Sequence, residues 1–356
     1  MPQTKPHPTK LTIGVAGAGH FGRFHALKVA ASDRAHLVGV HDANPARAAL
    51  VAAEVGSVPL DFPALLAAAD AIIVAAPAGA HHTLVKAALL AGRHVLVEKP
   101  IAATLAEADE LAAIATERKL VLQVGHLERF SAAYAAVAGR ISKPLYIEAV
   151  RIAPFKERGT DVSVILDLMI HDLDLLLALI DSPIERVDAV GAPVASLHED
   201  IANARITFVN GAVATVTASR ISLRTDRRMR LFAKDSYLVA DFQARSVTQI
   251  GKGPGIPVPG VEGYTMQQHA WEDHDSLAAE HAAFVASVLD GAPVLVDAAA
   301  GRRALAAALA VKEAMDAARA KAVASGLIEQ FEHGGDRKST RLNSSHLRLS
   351  RMPSSA

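Results

Sequence analysis

Cysteine is absent from the 356 residues. That excludes disulfides, thiolate catalysis and thiolate-built metal sites, and leaves nothing that calls for an oxidising compartment. Aromatic residues are scarce, at 4% with a single Trp, and no basic cluster is interleaved with them, so nucleic acid is not an expected partner. Long apolar runs are missing too: none reaches the roughly 18 residues of a membrane span. The opening MPQTKPHPTK is polar and proline-bearing, and the short apolar run after it passes straight into glycines, unlike a secretory leader. A soluble cytoplasmic protein without membrane contacts is expected.

What is present is a globular composition, 51% hydrophobic and 21% charged, in a chain long enough for two domains. The formal net charge of zero is misleading. Residues 336–356, DRKSTRLNSSHLRLSRMPSSA, shift abruptly in composition and translate segments of a short-read sequencing adapter. This tail is expected to be an artefact and not part of the fold, and the natural C-terminus beyond about Gly335 stays open. Without it the chain carries an acidic excess, which suits a soluble enzyme better than a polyanion binder.

From 11 to 125 the chain alternates apolar strand patterns (LTIGVAG, HLVGVHD, AIIVAAP, HVLVEKP, LVLQVG) with Ala/Leu-rich helical ones. Strands buried on both faces and separated by helices predict a doubly wound parallel sheet, a Rossmann domain over 1–125. Beyond 126 the patterns YIEAVRI, RITFV, VATVTASRI, RMRLFA, SYLVADF and SVTQI follow one another with short turns. They predict a C-terminal α+β domain over 126–330, with an open-faced, largely antiparallel sheet. Helices are predicted at 273–290 and 298–323, and GKGPGIPVPGVEGY (251–264) as a mobile loop.

GAGHFG (17–22) has G-x-G-x-x-G spacing after a strand and at the head of a helix pattern, with Asp42 twenty residues beyond Gly22 at the end of the next strand. Gly17 permits a tight turn, Gly19 lets a pyrophosphate approach, and Gly22 packs helix on strand, while His20 and Phe21 sit in the first turn. Asp42 can hold both ribose hydroxyls and repel a 2′-phosphate, which favours NAD; His41 and Arg47 nearby leave NADP open. Ala76 and Pro77 lie where the AIIVAAP strand meets its loop, and His81 can point into the same crevice, although a histidine on the helix surface is an equal reading. VLVEKP (95–100) brings Glu98 and Lys99 to the cofactor edge of the sheet, where a lysine can orient a hydroxyl or stabilise an oxyanion.

VILDLMIHDLDLLLALI (164–180) is apolar enough for a core helix, yet it carries Asp167, His171, Asp172 and Asp174. Buried charges are costly unless paired or used. Helical spacing places Asp167, His171 and Asp174 on one face and turns Asp172 toward solvent or a cap. His171 is the natural base, with Asp167 to tune it and Asp174 to hold its other side. The bland alternative is a structural His–Asp pair, and no metal-ligand spacing is evident.

In this order and spacing, GVAGAGHFG, the AAP turn with His81, GRHVLVEKP and the D-x-x-x-H of DLMIHDLD resemble the Gfo/Idh/MocA oxidoreductases over about 11–320. LQVGHLERF, RIAPFKERGTDVSVILDLMIHDLDLLL, EDIANARITF and VTASRIS resemble, more closely, the subgroup of UDP-N-acetylglucosamine 3-dehydrogenases that accompanies lipid A synthesis. The resemblance implies hydride transfer between NAD(P) and a sugar hydroxyl, here the 3-hydroxyl of a sugar nucleotide. Lys99 and His171 then match the catalytic pair and Asp167 the first acid of the motif. It also implies a homodimer or homotetramer formed through the second sheet, and a partner aminotransferase in the pathway. Met169 stands where many members have Gly, which would add bulk at the pocket. Arg129, Arg151, Lys156 and Arg158 cluster near the domain junction and are candidates for a diphosphate. Two other readings remain: an inositol or free-sugar dehydrogenase of the same family, and a non-catalytic NAD-binding regulator.

Overall fold

The computed structural model describes residues 10–156, 162–272 and 274–328. Arg158 and the adapter-like tail lie outside the described residues.

The first sheet is built from β1 (Leu11–Ala16), β2 (Ala35–His41), β3 (Ala71–Val74), β4 (His94–Glu98) and β5 (Leu122–Gly125), paired in parallel in the order β2-β1-β3-β4-β5. The centre of the sheet is apolar because α1 (His20–Ala30), α2 (Pro45–Glu54), α3 (Phe62–Ala68), α4 (Ala78–Leu90) and α5 (Leu105–Glu117) cover it. All four residues of β3 are fully buried. The chain reverses direction across the sheet between β1 and β3, and in such sheets ligands bind beyond the strand ends at that point.

A 3₁₀ turn (Leu127–Phe130) and α6 (Ala132–Ala138) lead to β6 (Tyr146–Ile152). A π-helical turn, Ile165–Met169, then runs into α7 (Ile170–Leu179). The strands that follow are β7 (Ile184–Ala192), β8 (Ile201–Phe208), β9 (Val213–Ser219), β10 (Asp226–Ala233), β11 (Ser236–Asp241), β12 (Ser246–Gly251), β13 (Ile256–Pro257) and β14 (Thr265–Ala270). They form the second sheet in the order β13-β14-β12-β11-β10-β6-β9-β8-β7, antiparallel except where β6 lies parallel to β9. Burial alternates along β8, so one face packs inward and the other stays open. Tyr146 and Phe232 stack on neighbouring strands, ring centroids 5.0 Å apart.

Two features depart from the sequence reading. β7 escaped notice because IERVDAVGA mixes charge into its alternation. The segment read as a mobile loop holds β13, which pairs with β14; Pro257 is tolerated there because β13 is an edge strand.

The last two helices, α8 (Ser276–Leu289) and α9 (Ala298–Ala324), return to the first sheet. Phe284 and Val285 of α8 join the core of β1 and β2, and the amide of Val124 in β5 donates to Val296 O at 2.9 Å. α9 serves both cores, with Ala300 and Leu305 on the first and Ala308, Val311 and Met315 on the second.

Candidate active site

The three glycines of the loop differ in what surrounds them. Gly17 has φ +104°, and a Cβ there would lie 2.5 Å from the Ala75 carbonyl. A Cβ on Gly22 would lie 1.8 Å from Gly17 O, so the helix sits directly on the strand turn. A Cβ on Gly19 would meet nothing within 4 Å. Gly19 is also the N-cap of α1 and offers no side-chain cap, so the first amides of the helix face open space. Bare amides at the positive end of an 11-residue helix, with room for close approach, fit a pyrophosphate. His20 and Phe21 are exposed at this first turn.

Asp42 accepts the Ala18 amide at 2.7 Å and the Asn44 amide at 2.8 Å, tying the end of β2 to the glycine loop. It keeps further lone pairs for a diol. His41 is engaged with Leu60 O at 3.1 Å, and Arg47 is exposed.

His81 does not point into the crevice. It is 1% exposed, with Nδ1 2.7 Å from Pro100 O and Nε2 2.8 Å from Ala76 O. It links the AAP turn to the turn after β4. Ala76 is half-buried and Pro77 is exposed at the head of α4.

Lys99 follows the last residue of β4 and reaches across to the second domain. Its Nζ donates to Asp167 O at 2.9 Å and Leu166 O at 3.3 Å, and lies 3.8 Å from Asp167 Oδ1. Both carbonyls belong to the π turn. Such turns recur at functional sites.

In the same turn the expected stripe of charges is corrected. Asp167 meets Lys99 instead, and no Asp167–His171 hydrogen bond occurs among the described residues. Asp172 does not face solvent: it is 3% exposed and receives both arms of Arg151, at 2.7 and 2.9 Å. Arg151 also donates to Glu128 at 3.3 Å, and Arg227 pairs with that same carboxylate. Asp174 turns to Arg129, at 3.6 Å, rather than to His171. Arg129 also lies over the Tyr134 ring, 5.1 Å from its centroid. Arg129 and Arg151 are thus committed to internal partners and not offered to a diphosphate; Lys156 is exposed. Met169 is fully buried in the core of the second domain, so its bulk fills that core and not the pocket.

Electrostatics sets the protonation of this centre. Burial, then the charges of Lys99, Arg151, His126 and Arg227, holds His171 well below the usual imidazole range. Its ring is neutral and can accept a proton, and Nδ1 has no hydrogen-bond partner among the described residues. His126, 1% exposed, is pushed down to about 3 by burial and by Lys99. Burial raises Asp174 to about 7 against the pull of Arg129 and Arg303.

Beside this centre lies a cavity of about 280 Å³ whose wall includes Glu128, Arg227, Phe242, Trp271 and His274. The Arg227 guanidinium lies 4.5 Å from the Phe242 centroid.

The sequence reading did not single out Glu128, Arg227, His126, His25, Glu280 or His281. The signal for His25, Glu280 and His281 was available: each interrupts the apolar face of a helix, as the charges of α7 do. Glu128 and Arg227 gave none, since their partners are distant in sequence.

Residues 11–126 match the model of the "Oxidoreductase family, NAD-binding Rossmann fold" and residues 135–239 that of the GFO/IDH/MocA C-terminal domain. The chain belongs to the Gfo/Idh/MocA oxidoreductases. Its first domain is accordingly an NAD-binding Rossmann domain, and the protein is a dehydrogenase of that family. The chain is 44% identical to the UDP-N-acetylglucosamine 3-dehydrogenase of Acidithiobacillus ferrooxidans over 312 residues, 86% of this chain and 98% of that one. A solved structure of that enzyme has a TM-score of 0.81 at 43% identity, covering 86% of this chain and 98% of its own. The inositol 2-dehydrogenase of Rhizobium meliloti is more distant, 26% identical over 83% of this chain and 94% of its own. A scyllo-inositol dehydrogenase from Lactobacillus casei, solved with NAD(H) and scyllo-inositol, shares the fold: TM-score 0.68, 23% identity, 87% of this chain and 98% of that one.

Proposed function

We propose that this oxidoreductase converts the 3-hydroxyl of UDP-N-acetylglucosamine to a ketone. The observation that carries the reading is the meeting of Lys99 with the D-x-x-x-H helix at the cofactor edge, in a chain 44% identical to an enzyme named for that reaction.

In this reading Gly17, Gly19, Gly22 and Asp42 hold NAD, with His20, Phe21, Ala76, Pro77 and Glu98 around it. Bound NAD would supply the hydride acceptor. The residues of the chain handle the proton: neutral His171 accepts it from the hydroxyl, and the Lys99 ammonium orients that oxygen and stabilises its developing charge. Asp167 positions Lys99. The cavity between Trp271 and Phe242 takes the uridine end, offering aromatic faces for the base.

The first domain, 1–125, carries the cofactor. The second, 126–330, carries the sugar and, on its open sheet face around Tyr146 and Phe232, a homodimer or homotetramer contact. The 3-keto product is a substrate for an aminotransferase, which places the enzyme in cytoplasmic lipid A precursor synthesis.

The test is NADH absorbance with purified protein, NAD and either UDP-N-acetylglucosamine or myo-inositol. Turnover of the sugar nucleotide is expected, with Lys99→Ala and His171→Ala each lowering kcat about a thousandfold while NAD still binds. Turnover of myo-inositol alone would overturn the substrate, and unchanged biological activity of both variants would favour a regulator.

A further inference from the structure

The catalytic scheme leaves a chain of buried polar groups without a task. Glu98, which ends β4 next to Lys99, is 14% exposed in its side chain. Its Oε1 lies 2.9 Å from His25 Nε2 on α1, and its Oε2 accepts the Lys99 amide at 3.2 Å. His25 is fully buried, and its Nδ1 lies 2.8 Å from Nε2 of His281 on α8, with the two rings within 14° of parallel. An ionised carboxylate only accepts, so His25 donates to Glu98 from Nε2, and its Nδ1 shares the second hydrogen bond with His281 Nε2. Gly125 keeps the carboxylate close to β5: a Cβ there would stand 3.3 Å from it.

The groups facing this chain complete the balance of charge. Lys99 and His126 lie beside Glu98, and Glu280 of α8 lies beyond it with both carboxylate oxygens buried and unpartnered among the described residues. Burial, and then Glu98, pushes Glu280 well above the usual carboxylate range, so it is neutral. Burial raises Glu98 as well, but the hydrogen bond and charge of His25 and the charge of Lys99 outweigh it and leave Glu98 ionised. His281, near the exposed Lys28–Asp275 pair, is held neutral by burial. The result is one fixed anion at the carboxyl end of a central strand, gripped from α1, the helix whose first turn has no side-chain cap.

We propose that His25 and His281 are positioning residues that, through two hydrogen bonds in series, hold the Glu98 carboxylate so that the site favours the oxidised, cationic nicotinamide over the neutral reduced one. A carboxylate at the reactive end of the site stabilises a positive ring and gives nothing to a neutral ring. The idea rests on the NAD site and not on the identity of the sugar.

Calorimetric dissociation constants for NAD+ and NADH, measured without any sugar, test it directly. Glu98→Gln and His25→Phe should weaken NAD+ about tenfold and leave NADH within about twofold, whereas His25→Gln, whose amide can still donate to Glu98, should recover most of the loss. His281→Phe should lie between. Equal weakening of both cofactor forms would mean that the chain merely packs α1 against α8, and an unchanged ratio would also overturn the proposal. Should His25→Phe fail to fold, the isosteric Glu98→Gln and the His281→Phe variant decide by the same ratio. A protein that oxidises another sugar would give the same binding result, so this test and that of the substrate fail separately.

Discussion

The cofactor crevice and the charged helix α7 solve opposite problems. The crevice is built from missing side chains: Gly19 leaves room, and the first amides of α1 line it. The α7 centre is built from side chains that burial forces to find a partner or keep a proton: Asp172 has Arg151, Asp167 has Lys99, and Asp174, beside Arg129, is raised by burial to about 7. The difference teaches where substitutions act. In the crevice they change space, and in α7 they strand a charge.

The largest expected effect breaks the second kind of region. Asp172→Ala leaves Arg151, 12% exposed in its side chain, with Glu128, which it shares with Arg227. Losing one partner of a buried pair costs about 3–5 kcal/mol, and denaturant unfolding should show that loss. A loss under about 1 kcal/mol would mean that the Glu128–Arg151–Asp172 network is solvated, and the contrast with the crevice would collapse.

A smaller effect sharpens the comparison within the crevice. Gly19→Ala adds a methyl group that touches no protein atom, so the thermal midpoint should hold while NAD affinity falls about tenfold or more. Gly22→Ala drives its methyl group into Gly17 O and should lower the midpoint by about 5 °C or more. The two glycines would then separate in opposite assays. If Gly19→Ala bound NAD normally, the pyrophosphate would lie elsewhere.

How legible each region was follows from the same physics. The parallel sheet and its glycine loop were plain in the sequence because the signals are local: apolar runs, helical spacing and glycines at fixed offsets. The chemistry-bearing residues of α7 were also plain, since charges in an apolar helix stand out. Their partners were not. Helical geometry alone turned Asp172 to solvent and joined Asp167 to His171, but the partners come from elsewhere in the chain: Lys99 follows β4 and Arg151 lies in β6. His81 was misjudged because nothing in AAPAGAHH reveals that Pro100 O would need it. The His281–His25–Glu98 chain joins residues 256 and 73 positions apart, beyond any local pattern.

The smallest effect tests whether a single charge on α7 is a cost that pH can remove. Burial holds Asp174 up to about 7, against an ordinary value of 3.8. Between these values the folded protein keeps a proton that the unfolded chain releases, so stability from this group is full below about pH 4 and falls as pH rises toward 7. Asp174→Asn removes that slope. The variant should therefore gain on the parent as pH rises from 5 to 8, by on the order of 1 kcal/mol, because Arg129 gives up a partner in exchange. Denaturant midpoints at the two pH values measure the gain. A difference independent of pH would show that Asp174 stays ionised beside Arg129, which would make it one more paired charge like Asp172 and remove the proton it otherwise carries next to the catalytic helix.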